Sequence, residues 1–168
     1  MTAMAEAFDV NQFEYPDLKQ IDPEYSKLEA DVYTLRVLKL SLAAGKSGKP
    51  YALGQFAVTK HDRHSARRLS KFFNNVTDPN SRDLKDLAKL AKVTGVAFTG
   101  TLPDWIASVN QIQPEFKAPV MLEPQFSNVK SDDGVGNVSW SKVPKFEDDG
   151  TTPVMDNRID FRNAQPAN

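Results

Sequence analysis

ADVYTLRVLKLSLAAGKSGKPYALGQFAVT, residues 30–59, decides the fold. Tyr33, Leu35 and Val37 alternate with Thr34 and Arg36, the period of a half-buried strand. The phase then flips, and Leu38, Leu40 and Leu42 become the apolar set, with Lys39 and Ser41 opposite. A one-residue slip reverses the faces of a strand. A β-bulge near Val37-Leu38 absorbs the slip and bends the chain, and long, bent first strands are what small closed barrels require. Residues 43–49 form the hairpin connection, where Gly45 and Gly48 supply positive φ. Residues 50–59 are the second strand, with Ala52, Gly54, Phe56 and Val58 on one face and Tyr51, Leu53, Gln55 and Ala57 on the other. Gly45-Lys46-Ser47 is not the end of a phosphate-binding loop. Such a loop needs a glycine at position 40, where Leu40 stands, and it opens into a helix. Here Lys49-Pro50 follows, and proline pushes its predecessor towards extended geometry.

Downstream, residues 60–74 (KHDRHSARRLSKFFN) are the most basic segment, with Lys60, Arg63, Arg67, Arg68 and Lys71 around His61 and His64. They read as a turn and a third strand ending in Phe72-Phe73, with a short helix as the alternative. Residues 81–94 read as a helix capped by Ser81, with Asp83 at its positive end and Gly95 as its terminator. Leu84, Leu87, Ala88 and Ala91 form its apolar stripe, and Lys85, Lys89 and Lys92 its wet one. A second helix follows Leu102-Pro103, with proline in its first turn. Trp105, Val109 and Ile112 share one of its faces, and Pro114 ends it. Residues 120–129 and 136–146 read as two more strands around the turn Ser131-Asp132-Asp133-Gly134, and Pro124 confines the first of them to an edge or a bulge.

Three strands, a helical insertion and two strands make the chain mainly β with inserted helices, in the order of a five-stranded OB-like barrel. The organisation is an N-terminal arm (1–28), an OB-like domain (29–146) and a flexible C-terminal tail (147–168). Phe8, Phe13, Tyr15, Leu18, Ile21 and Tyr25 make the arm too apolar for a free tail, so it is expected to pack on the domain or on a partner. The tail is poor in apolar residues and carries Glu147-Asp148-Asp149, with Phe161 its one docking candidate.

Composition removes several function classes. The absence of cysteine excludes disulfides, thiol chemistry and cysteine-ligated zinc. The N-terminus shows neither a basic leader nor an apolar run, and no stretch approaches the ~20 apolar residues that span a bilayer. The expectation is a cytoplasmic protein without a membrane partner. His61 and His64 lie three apart with no third ligand at metal-site spacing, so no metal and no cofactor are expected. Asp132-Asp133 and Asp148-Asp149 fall in a turn and a tail, which do not enclose a general acid or base. The chain reads as non-enzymatic.

OB-folds bind oligonucleotides on the face of strands two and three and in neighbouring loops, where the basic segment and the lysine-bearing hairpin lie. Arg36, Lys39, Lys46, Lys49, Lys60, Arg63, Arg67, Arg68 and Lys71 are the candidate phosphate contacts. Tyr51, Phe72 and Trp140 are the candidate stacking rings. Phe72 and Phe73 point to opposite faces, so one of them is core, and Trp140 has barrel packing as its alternative.

Over residues 33–140 the strand, the Ser47-Gly48-Lys49-Pro50 hairpin, the basic third element, the helix ending Lys92-Val93-Thr94-Gly95 and the late strand pair follow a familiar layout. In this the chain resembles small phage-encoded OB-fold single-stranded-DNA-binding proteins of replication and recombination modules. Residues 162–168 lack the acidic C-terminal run that bacterial and phage single-strand binders carry. The resemblance implies single-stranded DNA as the partner, with replication or recombination proteins and further copies of the chain as possible company. The alternative is a phage protein–protein interaction module, a host-factor inhibitor or small virion component, which the aromatic arm favours.

Overall fold

The computed structural model of the protein describes residues 9–21 and 27–168. β1 (Asp31–Ala44), β2 (Pro50–Thr59) and β3 (Arg68–Phe73) form an antiparallel meander. α1 (Arg82–Thr94) and α2 (Leu102–Ile112) follow, and β4 (Glu115–Pro124) returns to pair with the other edge of β1. β5 (Phe126–Asp132) and β6 (Val138–Pro144) pair only with each other. β7 (Met155–Ile159) and the short β8 (Gln165–Pro166) both pair with β4. The sheet order is β3-β2-β1-β4-β7, strongly curled into an OB-like half-barrel whose edges β3 and β7 approach each other without forming a ladder.

The bend lies where the apolar phase flips. The β1–β2 register shifts between Val37 and Lys39, leaving Leu38 as the extra residue. Beyond this bulge β1 parts from β4, and side chains at the end of α2 take over as hydrogen-bond partners. Asn110 accepts from the Leu40 N–H at 2.7 Å and donates to the Leu40 carbonyl at 2.8 Å, and Gln113 donates to the Leu38 carbonyl at 3.0 Å. The helices therefore satisfy backbone groups that the bend would otherwise strand.

Inside the curl, Phe56, Phe73, Phe116 and Phe161 are all fully buried. Phe161 is their hub, with ring centroids 5.6 Å from Phe56, 5.7 Å from Phe73 and 5.9 Å from Phe116. Gly54 makes room for them. A Cβ there would meet the Phe56 ring at 2.7 Å and the Phe73 ring at 3.1 Å. α1 begins with Ser81 accepting from the Leu84 N–H and ends on left-handed Gly95. It rests on β4, β8 and the turn Phe161–Asn163, whereas α2 rests on β1.

Several expectations change. Strand four begins at Glu115, not near residue 120, because Phe116, Ala118 and Val120 continue its buried face through Pro119. The first late strand divides between β4 and β5; β5 and the second late strand, β6, form a ribbon paired only with itself, and β7 takes the outer edge of the curled sheet instead. The segment expected to be a flexible tail is therefore part of the domain from Met155 onward, held by the β4 ladder and by Phe161. Its acidic run is a tight turn. Asp149 accepts from the backbone of Thr151 and Thr152 and from the Thr152 hydroxyl, bonds that hold its pKa at about 2.

On α1, Leu90 and Val93 are buried, while Leu84 and Ala88 are only partly so; on α2, Ile106 is buried and Ile112 is 59% exposed. Of the arm, Phe8 and Tyr25 lie outside the described residues. Val10, Phe13, Tyr15, Leu18 and Ile21 are each more than half exposed, so this part of the arm does not bury itself in the domain. Packing starts at Leu28, which is buried and whose N–H and carbonyl both bond Asn157 of β7.

Candidate nucleic-acid interface

The outer face of β1, β2 and β3 carries every second residue of each strand, and the registers set these out in rows. Arg36 stands beside Ala57, and Ala57 beside Arg68. Lys39, Gln55 and Ser70 form the next row, then Ser41, Leu53 and Phe72, and lastly Ala43 beside Tyr51. Rows two residues apart on a strand are roughly 7 Å apart. The face is thus cationic at one end and aromatic at the other. Phe73 points into the core, and its neighbour Phe72 is 54% exposed on the outer face. The Tyr51 ring, half-buried, lies 5.9 Å from that of exposed Phe72, tilted by 48°, and the two form a ring pair on this face.

The hairpin at residues 45–49 borders the aromatic end. Its loop closes through the Gly45 N–H on the Lys49 carbonyl and the Gly48 N–H on the Gly45 carbonyl, and it leaves Lys46 and Lys49 exposed. No helix follows it, as the sequence requires of a plain hairpin.

The basic segment divides into two groups. Lys60 and Arg36 both bind Glu115, at 3.1 Å and 2.5 Å, and Arg63 lies 3.6 Å from Glu29. The hydrogen bond from Lys60, then that from Arg36, holds the Glu115 carboxyl below the ordinary glutamate value, against partial burial that works the other way. Arg67 sits at the entry to β3, where its N–H bonds the His64 carbonyl and its own carbonyl accepts from Val58. Arg68 reaches the outer face. Lys71 does not, because it shares the inward phase of Leu69 and Phe73, and its ammonium lies 5.4 Å from the Phe73 ring centroid.

His61 and His64 stack on each other at 4.9 Å, beside the Tyr33 ring, and His61 Nδ1 accepts from the Arg63 and His64 N–H groups. This pair shapes the turn before β3. Among the described residues no cluster of three or more histidine and carboxylate side chains converges as a metal site would.

Trp140 lies on β6 opposite Lys130, with Lys142 two residues on, and it is 66% exposed. It takes no part in barrel packing. No side chain of the β5–β6 ribbon is buried. The ribbon leaves the domain at Gln125, whose N–H bonds the Val154 carbonyl, and this root adjoins Ser70 and Lys71 of β3 around a shared cleft. The structure therefore gathers Arg36, Lys39, Tyr51, Arg68 and Phe72 on one surface, with Lys46 and Lys49 at its rim. It places Lys60 and Arg63 in ion pairs, Lys71 at the seam and Trp140 on the ribbon.

No family model matches the chain, and no characterised protein is significantly similar to it in sequence. Among the described residues no helix is long and apolar enough to cross a membrane.

Proposed function

We propose that this is a non-enzymatic single-stranded-DNA-binding protein that serves phage DNA replication or recombination in the cytoplasm of an infected cell. The pairing of exposed Phe72 with half-buried Tyr51 inside a cationic frame carries the reading. Single-strand sites need both a charged track for the backbone and rings for the bases, because every base offers a π-face whatever its identity. On OB-type barrels that ligand lies across strands two and three and the loops around them, which here are β2, β3, the lysine hairpin and the connection bearing Trp140. In this reading Arg68, Lys39, Lys46 and Lys49 hold phosphates, Tyr51 and Phe72 stack bases, and Trp140 adds a third ring from the ribbon. The phage setting, and replication or recombination proteins as further partners, rest on the layout resemblance alone.

Fluorescence anisotropy of a labelled oligo-dT of about 30 nucleotides tests this. Saturation at low salt, a steep loss of affinity with added salt and preference for the single strand over a duplex are expected. No binding at low salt would remove the reading.

The exposed apolar side chains at residues 10–21 favour a second reading, a protein–protein module. It predicts a stable oligomer or host complex and no affinity for oligonucleotides.

A further inference from the structure

We infer that a strand bound on the outer face continues past the edge of β3 into a cationic groove along α1, making α1 a second, length-dependent part of the site; the inference rests on the single-strand reading above. Three adjoining clefts form the path. The first, about 250 Å³, runs along the β3–β7 seam and includes Ser70, Lys71 and Arg158, together with Glu123, which pairs with Arg158, and Asp156, which pairs with Lys27. The second, about 90 Å³, shares Lys71 and Arg158 with the first and adds Arg82, Arg162 and the acids Asp83, Asp86 and Asp160. The third, about 520 Å³, shares Arg82, Asp86 and Arg162 and extends to Asn80, Lys85 and Lys89. Ser70 lies in the outer-face row of Lys39 and Gln55, so the trough opens directly from the aromatic and cationic face.

The charge of the third cleft, along α1, favours a polyanion. Arg82, Lys85 and Lys89 of α1 converge with Arg162, from a separate turn, on a cleft whose one acid is Asp86. None of the four cations is in an ion pair among the described residues, in contrast to Arg36, Lys60 and Arg63. The nearby acids have local roles. Asp83 accepts from the Asn75 N–H, Asp160 caps the turn at Phe161–Asn163, and Asp86 faces Lys71, Arg82 and Arg158. A lysine stripe on an amphipathic helix ordinarily faces only water. Here Lys85 and Lys89 line the trough, while Lys92 of the same stripe does not, which supplies an internal control.

The experiment is a salt-dependent anisotropy titration of the full chain with dT8 and dT25. It compares wild type, Lys85→Ala/Lys89→Ala/Arg162→Ala and Lys92→Ala, with thermal melts to verify folding and a Lys85→Gln/Lys89→Gln variant in case the triple variant is unstable. The triple variant is expected to keep wild-type affinity for dT8 and to bind dT25 more weakly. Its log–log salt slope on dT25 should be shallower by about 2, at about 0.7 per lost phosphate contact. Lys92→Ala should match wild type on both. Unchanged dT25 binding by the triple variant would overturn the groove. Equal losses on dT8 and dT25, or an equal loss from Lys92→Ala, would also overturn it, since either would mean a diffuse field rather than a track. If wild type binds neither oligonucleotide, the single-strand reading fails and the groove fails with it.

Discussion

Phe72 and Phe73 are adjacent in sequence and opposite in role, which separates function from stability at two neighbouring positions. Phe72→Ala removes an exposed ring, so the melting temperature should stay within a few degrees of wild type. Oligo-dT affinity should fall by roughly 5- to 150-fold, the worth of about 1–3 kcal/mol for one stacked base. Phe73→Ala empties part of the aromatic core and should cost about 3–5 kcal/mol in chemical denaturation. If both variants lose only stability, Phe72 is not a binding residue. Glu115 offers a test of opposite sign. It holds Arg36 and Lys60 beside the proposed face, so Glu115→Gln should tighten oligonucleotide binding and steepen its salt slope by up to about 1.4, two phosphates at about 0.7 each. The same carboxyl has a pH signature. Its pKa is lowered in the folded protein, so its stabilising effect is complete above the ordinary glutamate value and is lost as pH falls through the folded value. The gap in melting temperature between wild type and Glu115→Gln should therefore be present at pH 7 and close in acid, and it should be small because both cations are largely exposed. A gap that widens in acid would contradict the ion-pair assignment. Strand alternation shows in advance that one of the two phenylalanines is buried. Which acids neutralise which cations is not legible in sequence, since Glu115 meets Arg36 across 79 residues.

At the scale of elements, legibility follows how local the signal is. The bulged β1, the hairpin, β2 and the caps of α1 are each specified by neighbours in sequence, and all appear where the residues indicate them. The β5–β6 ribbon shows where such reasoning stops. Its alternation is a real strand signal, but a strand pattern does not state what covers the strand. The clue lies in the weakness of both faces. Ser127, Ser139 and Ser141 dilute one side, and Asn128, Lys130 and Lys142 the other, so neither offers a continuous apolar surface to a core. A two-stranded ribbon of this kind is marginal by itself and contributes no buried side chain to the domain. Replacing residues 127–143 with a short Gly-Ser linker should therefore leave the cooperative melt of the domain within a few degrees of wild type. It should weaken oligo-dT binding, with Trp140→Ala alone reproducing most of the loss. Collapse of the fold on removing the ribbon would show that it is structural. Full retention of affinity would remove Trp140 from the site.

The whole molecule depends on a segment that composition marks as dispensable. β7 reads Met-Asp-Asn-Arg-Ile, apolar only at its ends, because its contribution is mainly backbone pairing with β4 and that leaves no side-chain pattern. Its partner strand lies about thirty residues earlier, across the ribbon, so no local period announces the pairing. Yet Ile159, Phe161 and Ala164 are buried, and Phe161 touches three of the core rings. Asn157 also ties down the backbone of Leu28, so the last barrel strand fixes the chain just before the first. Loss of one such phenylalanine costs about 3–5 kcal/mol, against a total stability of about 5–15 kcal/mol for a domain. Phe161→Ala should therefore lower the urea midpoint markedly while preserving a cooperative transition. Truncation after Val154 removes Phe161, Ile159 and the whole β4 partner together, and leaves an open sheet edge beside an uncovered aromatic core. The truncated chain should show no cooperative transition and should bind a hydrophobic dye, whereas a genuine flexible tail could be cut there without moving the midpoint. The outcome also bears on binding assays, because a C-terminal truncation that abolishes DNA binding would report loss of the barrel rather than loss of a contact. Circular dichroism melts of the two variants side by side decide between these cases: an intact, unshifted transition in the truncated chain would mean that β7 is not an integral strand of the sheet.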